Sequence, residues 1–372
     1  MNIQRYQKQI QLKEFGIDAQ QKLLAAKVLV IGAGGLGCPV LQYLTAAGIG
    51  TIGIVDFDVV DLSNLHRQIL YTVDDIGKSK SETAARKLNA LNPEINIQAI
   101  NSKLQTSNAL EIISAYDLVI DGSDNYSTRY LVNDACVLLN KPLVYGAVLR
   151  FEGQVGVFNL QDKSTGVKTS YRDLFPQPPD ADATLSCNEA GVLGVVPGII
   201  GTMQATETIK IITGIGSPLC NKIVSINLLN NSFYNFEISK NTEAKTLIPK
   251  NETEFLNFNY DWFCGVQHSS NEISVREFEA LLVKEKVRVI DVRERNELPL
   301  VSEFDFIQIP MSKFKEGISS FENSGTIVIF CQTGKRSANA VQILKNNFPD
   351  CQAYSLAGGI IAWKNHKQSI NA

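Results

Sequence analysis

No run in this 372-residue sequence is long and apolar enough to span a membrane: GVLGVVPGIIG, at 191–201, is short and broken by Pro197 and glycines, against the roughly 20 apolar residues a spanning helix needs. The opening residues, MNIQRYQKQIQLKEFG, are polar where a secretory signal would carry an apolar core. A large charge of one sign is also missing. The 35 Lys and Arg against 38 Asp and Glu leave a net charge of -3, which gives no bulk attraction for nucleic acid or anionic lipid. The seven cysteines (Cys38, Cys136, Cys187, Cys220, Cys264, Cys331, Cys351) have no disulfide-like spacing and are odd in number, as for free thiols in a reducing compartment. These absences predict a cytoplasmic protein with no membrane and no nucleic acid among its partners. Internal repeats and low-complexity tracts are missing too, which excludes a solenoid.

What is present alternates. Short β-branched runs (KVLVIG, TIGIVDF, INIQAI, DLVIDGSD, PLVYGAV) are separated by helical patterns, the signature of a mostly parallel sheet covered on both faces. Ligands then bind at the carboxyl ends of the strands. After Phe151 come GQVGVFNL, the loop-like FPQPPDADAT, a helix from about Ile199 to Thr213, and strands near KIVSINLL and SFYNFEI. A polar, poorly periodic stretch, about 240–271, reads as a linker. The expected organisation is a Rossmann-like α/β domain over 1–266 and a smaller α/β domain over 272–372, since the chain exceeds the usual single-domain length.

The stretch VLVIGAGGLGCPV joins a strand-like run to G-x-G-x-x-G and a helix-compatible segment, which brings backbone N–H groups to a nucleotide phosphate. Asp56, ending TIGIV, stands where an acid accepts hydrogen bonds from ribose hydroxyls, as NAD and ATP both require. Asn64 and Arg67 follow in DLSNLHRQIL, Lys80 opens a helix in GKSKSE, and Asp124 with Asn125 ends a strand in DGSDN. An Arg, a Lys and a carboxylate converging on strand ends make a triphosphate site, in which the cations neutralise charge developing on phosphates and the carboxylate holds Mg2+. Hydride transfer needs none of them.

In order along the chain, RYQKQI, GAGGLGC, DFDVVDLSNLHRQ, GKSK, DGSDN, RFEGQ and CNEAGVLG make residues 4 to about 265 resemble the adenylyltransferases that activate ubiquitin-like sulfur carriers, the MoeB/ThiF type related to ubiquitin-activating enzymes. The resemblance implies that Gly35, Asp56, Ser63, Asn64, Leu65, His66, Arg67, Lys80, Asp124 and Asn125 contact ATP and its Mg2+. It implies attack of a carrier's C-terminal glycine carboxylate on the α-phosphate, with Arg67 and Lys80 stabilising the transition state. A homodimer is implied as well, RYQKQ supplying a basic residue to the partner's nucleotide: Lys8 here, with Arg5 nearby. Cys187 matches a family cysteine that bonds covalently to the carrier's carboxyl terminus or to transferred sulfur. Many relatives hold structural zinc through two C-x-x-C pairs; the matching places read Ser170-Tyr171-Arg172-Asp173 and Asp261-Trp262-Phe263-Cys264, so an empty zinc site is expected.

VIFCQTGKRSANA runs from a strand through a loop into a helix with Cys331 at the turn, where backbone N–H groups, the helix dipole, Lys335 and Arg336 favour an accessible thiolate. The loop Cys331, Gln332, Thr333, Gly334, Lys335, Arg336, together with VIDVRE and LAGGIIAW, resembles rhodanese, four residues between Cys331 and Arg336 being the length that suits a persulfide. RNELPLVSEFDFIQIP lacks the Gly-His-Ile-Pro-Gly often found in rhodaneses at this point. The joint reading is adenylation of a carrier followed by sulfur transfer from a Cys331 persulfide, replenished by a persulfide or thiosulfate donor, in molybdopterin, thiamine or another thiolation route. The alternatives are an NAD(P)-dependent oxidoreductase with a redox-sensing rhodanese domain, and a non-catalytic carrier-binding scaffold.

Overall fold

The computed structural model describes residues 3–179, 190–264, 271–284, 287–318, 325–349 and 351–371, and divides into two compact units, Met1–Gly265 and Val266–Ala372. In the first unit, β1 (Lys27–Ile31), β2 (Thr51–Val55), β3 (Asn96–Ile100), β4 (Leu118–Asp121), β5 (Leu143–Leu149), β6 (Glu152–Phe158), β7 (Lys222–Asn227) and β8 (Ser232–Glu237) form one sheet in the order β3-β2-β1-β4-β5-β6-β7-β8. The pairs from β3 to β5 are parallel, with Val28 opposite both Ile52 and Leu118; those from β5 to β8 are antiparallel. Val28 to Ile31 are all buried, which is why β1 reads as a continuous apolar run and not as an alternation. The chain leaves β1 toward β2 and β3, then returns to the other side at β4. Such a reversal opens a crevice at the carboxyl ends of β1 and β4.

Helices α1 (Ile3–Ile10), α2 (Gly16–Ala25), α3 (Gly37–Ala47), α4 (Lys80–Leu91), α5 (Thr106–Ser114) and α6 (Tyr126–Leu138) precede the antiparallel strands. The long helix Val195–Thr213 buries Val196, Ile200, Gln204 and Ala205 and packs on α2, α3, β5 and β6. The polar stretch about 240–271 is more ordered than its composition suggests: Ala244–Leu247, Glu252–Asn257 and Tyr260–Phe263 are helical, and Phe255 and Tyr260 are buried in the first unit's core. Aromatic residues inserted into a polar sequence anchor it there.

In the second unit, β9 (Glu272–Ile273), β10 (Arg288–Asp291), β11 (Ile307–Gln308), β12 (Ile327–Phe330) and β13 (Ala353–Leu356) form a parallel sheet in the order β11-β10-β12-β13-β9. Helices Val275–Lys284, Lys335–Asn347 and Gly359–Asn371 accompany it. Among the described residues no helix is long and apolar enough to cross a membrane.

Candidate active site

The turn from β1 into α3 is built by contacts only glycine allows. A Cβ on Gly37 would lie 2.0 Å from Gly32 O, and one on Gly35 would press within 3.2 Å of Pro197 and 3.5 Å of the Arg67 side chain. Asp56, at the end of β2, spends its carboxylate on this loop: Oδ2 accepts the Ala33 N–H at 2.7 Å and Oδ1 the Asp58 N–H at 2.8 Å. Tyr71 donates its hydroxyl to Ala33 O at 2.8 Å. Asp61 caps the turn of Ser63, Asn64 and Leu65, accepting the Ser63 N–H at 2.8 Å, and within it Arg67 Nη1 donates to Ser63 O at 3.1 Å while His66 Nδ1 lies 3.0 Å from the same oxygen. Lys80, at the first turn of α4, is buried, and its ammonium pairs with Asp58 Oδ2 at 3.0 Å.

The β4 loop meets the glycine turn directly, Gly122 N–H donating to Ile31 O at 2.8 Å. Asp121 folds it by accepting the Ser123 N–H at 2.9 Å and hydroxyl at 2.6 Å, and Arg129 Nη2 donates to Ser123 O at 3.2 Å. Asn125 caps α6, its Oδ1 accepting the Thr128 N–H at 2.9 Å. Asp124 is exposed, and among the described residues no hydrogen bond or ion pair engages its carboxylate, so a hard oxygen ligand is available to a divalent cation. Gly35, Asp56, the Ser63–Arg67 turn, Lys80, Asp124 and Asn125 thus lie on loops at one end of the sheet. Asp58, Tyr71 and Arg129 were not foreseen from the sequence; a buried Lys80 needs a counter-ion, and that requirement points to Asp58.

Other expected residues are distributed differently. Cys187 lies outside the described residues. The chain beyond it is fastened beside this site: Gly191 O and Leu193 N–H pair with Arg150, and a Cβ on Gly194 would meet His66 O at 2.2 Å. In α1, Tyr6 is buried with its hydroxyl against Asn92, Arg5 Nη1 donates to Leu91 O at 3.0 Å, and Lys8 is exposed. Arg5 is therefore tied to the end of α4 in this chain, and Lys8 is the more available cation.

At the places where many relatives carry zinc ligands, the donor set does not fit the metal. Ser170 and Asp173 bond to each other, Asp173 Oδ2 accepting the Ser170 N–H at 2.6 Å and hydroxyl at 2.9 Å. Arg172 is fully buried and forked onto Asp134, with Nη2 to Oδ2 at 2.6 Å and Nε to Oδ1 at 2.8 Å. Its guanidinium lies 4.6 Å from the Phe263 ring centre and 4.9 Å from that of Tyr130, while Tyr260 donates its hydroxyl to Asp134 at 2.9 Å. The two segments that zinc would join meet around Asp134 of α6: Arg172 pairs with it and lies over Phe263, and Tyr260 donates to it.

In the second unit, Cys331 directly follows β12 and the helix Lys335–Asn347 begins after Gly334, whose φ of 98° places it in the left-handed region. The Gly334 N–H donates to Cys331 Sγ at 3.1 Å, and Ser337 Oγ lies 3.6 Å from it. Gln332, Thr333 and Lys335 carry the loop outward, but Cys331 itself is 1% exposed, so the accessible thiol expected from sequence is a covered one. The buried Asp291 holds Arg293 by a bidentate pair at 2.7–3.0 Å, and Arg293 Nη1 donates to Pro299 O at 2.8 Å, which fixes the turn 294–299. Glu297 on that turn grips Arg336 with two bonds of 2.7 Å, and Gln332 Nε2 reaches Leu298 O at 3.4 Å.

With these two sites in view, comparison with known proteins is direct. The ThiF family model matches residues 6–247, and the rhodanese-like domain model matches 274–366. The chain belongs to the ThiF family. It is 41% identical over 377 residues to the probable adenylyltransferase/sulfurtransferase MoeZ of Mycobacterium tuberculosis, covering 98% of this chain and 94% of that one. It is 38% identical to adenylyltransferase and sulfurtransferase MOCS3 of Drosophila grimshawi, covering 98% and 84%. The sulfur carrier protein adenylyltransferase of Thermus thermophilus is 46% identical over 265 residues, 71% of this chain and 97% of that one. A crystal structure of E. coli MccB with AMPCPP and MccA shares the fold, with a TM-score of 0.56 at 24% identity over 65% of this chain and 73% of that one. The protein is accordingly an ATP-using enzyme that combines an adenylyltransferase with a rhodanese-type sulfurtransferase, and the oxidoreductase and scaffold alternatives fall away.

Proposed function

We propose that the adenylyltransferase domain, 1–266, activates the C-terminal glycine of a small ubiquitin-like sulfur carrier, and that the rhodanese domain, 272–372, supplies the sulfur. The observation that carries this reading is the gathering of the glycine turn, the Arg67 turn, Lys80 and the Asp124 loop at the β1–β4 crevice. The carrier carboxylate attacks the ATP α-phosphorus, the bond to the bridging oxygen breaks, and pyrophosphate leaves from an acyl-adenylate. Arg67 and Lys80 neutralise charge that builds on the phosphates, Lys80 exchanging Asp58 for them. Gly35, Ser63, Asn64, Leu65, His66 and Asn125 line the nucleotide, and Asp56 holds the glycine turn against it. Asp124 would hold Mg2+, which supplies charge neutralisation and orients the phosphates when bound.

A persulfide on Cys331 then attacks the acyl carbon and displaces AMP. A thiol then attacks the Cys331 sulfur of the resulting acyl disulfide, the sulfur–sulfur bond breaks and the carrier thiocarboxylate leaves with the electron pair, while Cys331 stays in a disulfide with the attacking thiol until a second thiol reduces it. Cys187 is the chain's candidate for a covalent intermediate. Joining the two activities in one chain raises the effective concentration of the sulfur nucleophile. The site is read as working in a homodimer, Lys8 reaching the partner's phosphates as a point charge without the bidentate fork of Arg. No zinc is required on this reading, because Arg172 and Tyr260 already meet on Asp134 and Arg172 lies over Phe263. The cytoplasm is the compartment proposed.

The test pairs two variants. Asp124→Ala should lower carrier-dependent ATP–pyrophosphate exchange at least about a hundredfold with unchanged thermal stability. Cys331→Ala should keep exchange near the wild-type rate and abolish thiocarboxylate formation, seen by mass spectrometry as exchange of one oxygen for sulfur. Wild-type exchange in the first variant, or wild-type thiocarboxylate in the second, refutes the corresponding half.

A further inference from the structure

We infer that Glu297 is a donor-specificity residue: by neutralising Arg336 it turns the Cys331 loop away from thiosulfate and toward a persulfide carried on a cysteine. The inference rests on the proposed sulfurtransferase activity and narrows its donor.

The geometry is that of a built-in anion. Both Glu297 carboxylate oxygens are engaged by both terminal nitrogens of Arg336, at 2.7 Å each, and Oε1 also accepts the Glu294 N–H at 2.7 Å. The turn bearing Glu297 is not free to drift, because Arg293 donates to Glu297 O at 3.4 Å and Pro299 O at 2.8 Å and is itself clamped on the buried Asp291. Both partners of the Arg336 pair are only partly exposed, at 31% and 25%, where a unit charge is incompletely screened. Arg336 holds the Glu297 carboxyl below the usual carboxylate range, so Glu297 stays ionised at neutral pH. With Arg293 balanced by Asp291 and Arg336 by Glu297, Lys335 is the cation that the loop itself, residues 331–336, still offers to a donor.

That arithmetic discriminates between donors. To load from thiosulfate, the Cys331 thiolate attacks the outer sulfur, the sulfur–sulfur bond breaks, and sulfite leaves with the electron pair. The donor is a small dianion that must approach the thiolate, and it gains from every uncompensated cation at the loop. Loading from a cysteine persulfide transfers the same sulfur with a thiolate as leaving group. That donor carries at most one negative charge at the reacting end and depends less on the charge of Arg336. Leu298 and Leu300, 68% and 71% exposed on the same turn, present apolar surface where a dianion gains nothing.

The experiment uses the full chain and two donors, thiosulfate and the persulfide of cysteine methyl ester, with cyanide as sulfur acceptor, thiocyanate formation as the rate, and the gain of one sulfur on Cys331 followed by mass spectrometry. Glu297→Gln keeps the side-chain size while removing the charge. It should raise kcat/KM for thiosulfate about tenfold or more, steepen its dependence on salt, and leave the persulfide rate within about twofold. An unchanged or lower thiosulfate rate with normal persulfide loading overturns the inference and leaves the sulfurtransferase reading standing. No loading of wild-type Cys331 from either donor overturns the sulfurtransferase reading itself. If Glu297→Gln does not fold, the double variant Glu297→Gln with Arg336→Met removes both charges together and decides the matter. Its thiosulfate rate should stay within about threefold of wild type, and a fall beyond about tenfold means that Arg336 serves thiosulfate despite Glu297.

Discussion

Replacing Arg172 by Met strips Asp134 of the cation that opposes the rise burial imposes on its carboxyl, in a site where neither residue is exposed. The carboxylate keeps the Asn133 amide and the Tyr260 hydroxyl, each at 2.9 Å, but loses two charge-assisted bonds of 2.6 and 2.8 Å. Breaking a buried pair by removing one partner costs roughly 3–5 kcal/mol, which for a domain of this size lowers Tm by roughly 6–20 °C. The cage adds to the loss: the guanidinium lies near Tyr130, Phe258 and Phe263, and a thioether keeps the packing but not the cation–π attraction. Arg172→Met with Asp134→Asn removes the orphaned carboxyl and should recover at least half of the deficit. Melting curves by circular dichroism, with and without a strong chelator, test this directly. A single variant within about 1 kcal/mol of wild type would refute the clamp, and a wild-type Tm that falls when chelator is added would mean that metal, and not the cluster of Arg172, Asp134, Tyr260 and Phe263, holds residues 170–173 to residues 261–264.

The cross-subunit role of Lys8 predicts complementation: Lys8→Ala and Asp124→Ala should each be impaired alone, yet mixing and reassociating them should restore exchange, since one of the two sites then combines an intact Asp124 with the partner's intact Lys8. Mixtures no better than the sum of their parts would refute the dimeric site. Asp75 predicts an acid transition. Burial would raise its carboxyl, but the Lys87 ammonium and the Thr72 N–H and hydroxyl outweigh burial and hold it at about 2; because the folded value lies below the unfolded one, the stability it contributes is complete above about pH 4 and drains away as pH falls toward 2. Asp75→Asn should lower Tm at neutral pH and flatten its dependence over that window, measured by thermal melts at each pH, and an unflattened profile assigns the transition to other carboxylates.

Much of the sheet was legible because its central strands are buried on both faces. Val28 to Ile31 and Leu118 to Asp121 announce themselves as unbroken apolar runs, Asp121 being the acid that ends the second. β9 was not legible. It is two residues long and exists through pairing of Ser355 with Glu272 and Leu356 with Ile273, a long-range fact with no local periodicity to report it. The helices at 244–263 were hidden for a different reason: they are only four, six and four residues long, too short to show a helical period, and Phe255 and Tyr260 supply their buried surface as isolated anchors.

The site was legible where a residue follows a strand's carboxyl end or opens the next helix, and illegible where its partner arrives from elsewhere. Arg67, Lys80, Asp124 and Cys331 each sit at a position the fold reserves for ligands. Asp58 and Glu297 acquire meaning only through residues 22 and 39 positions away. Physics nevertheless demands such partners, because a cation set in a half-dry site to receive phosphate or sulfur anions must be neutralised before its substrate arrives. Lys80 does this with Asp58, whose side chain is 54% exposed against 7% for the lysine, so the carboxylate is free to swing into water when phosphates replace it. Arg336 does it with Glu297, which is pinned by Arg293 and Glu294 and has no comparable exit. On the proposed function, the same pairing would serve opposite ends: a counter-ion that yields to the triphosphate in the first domain, and one that stays to refuse a dianion in the second.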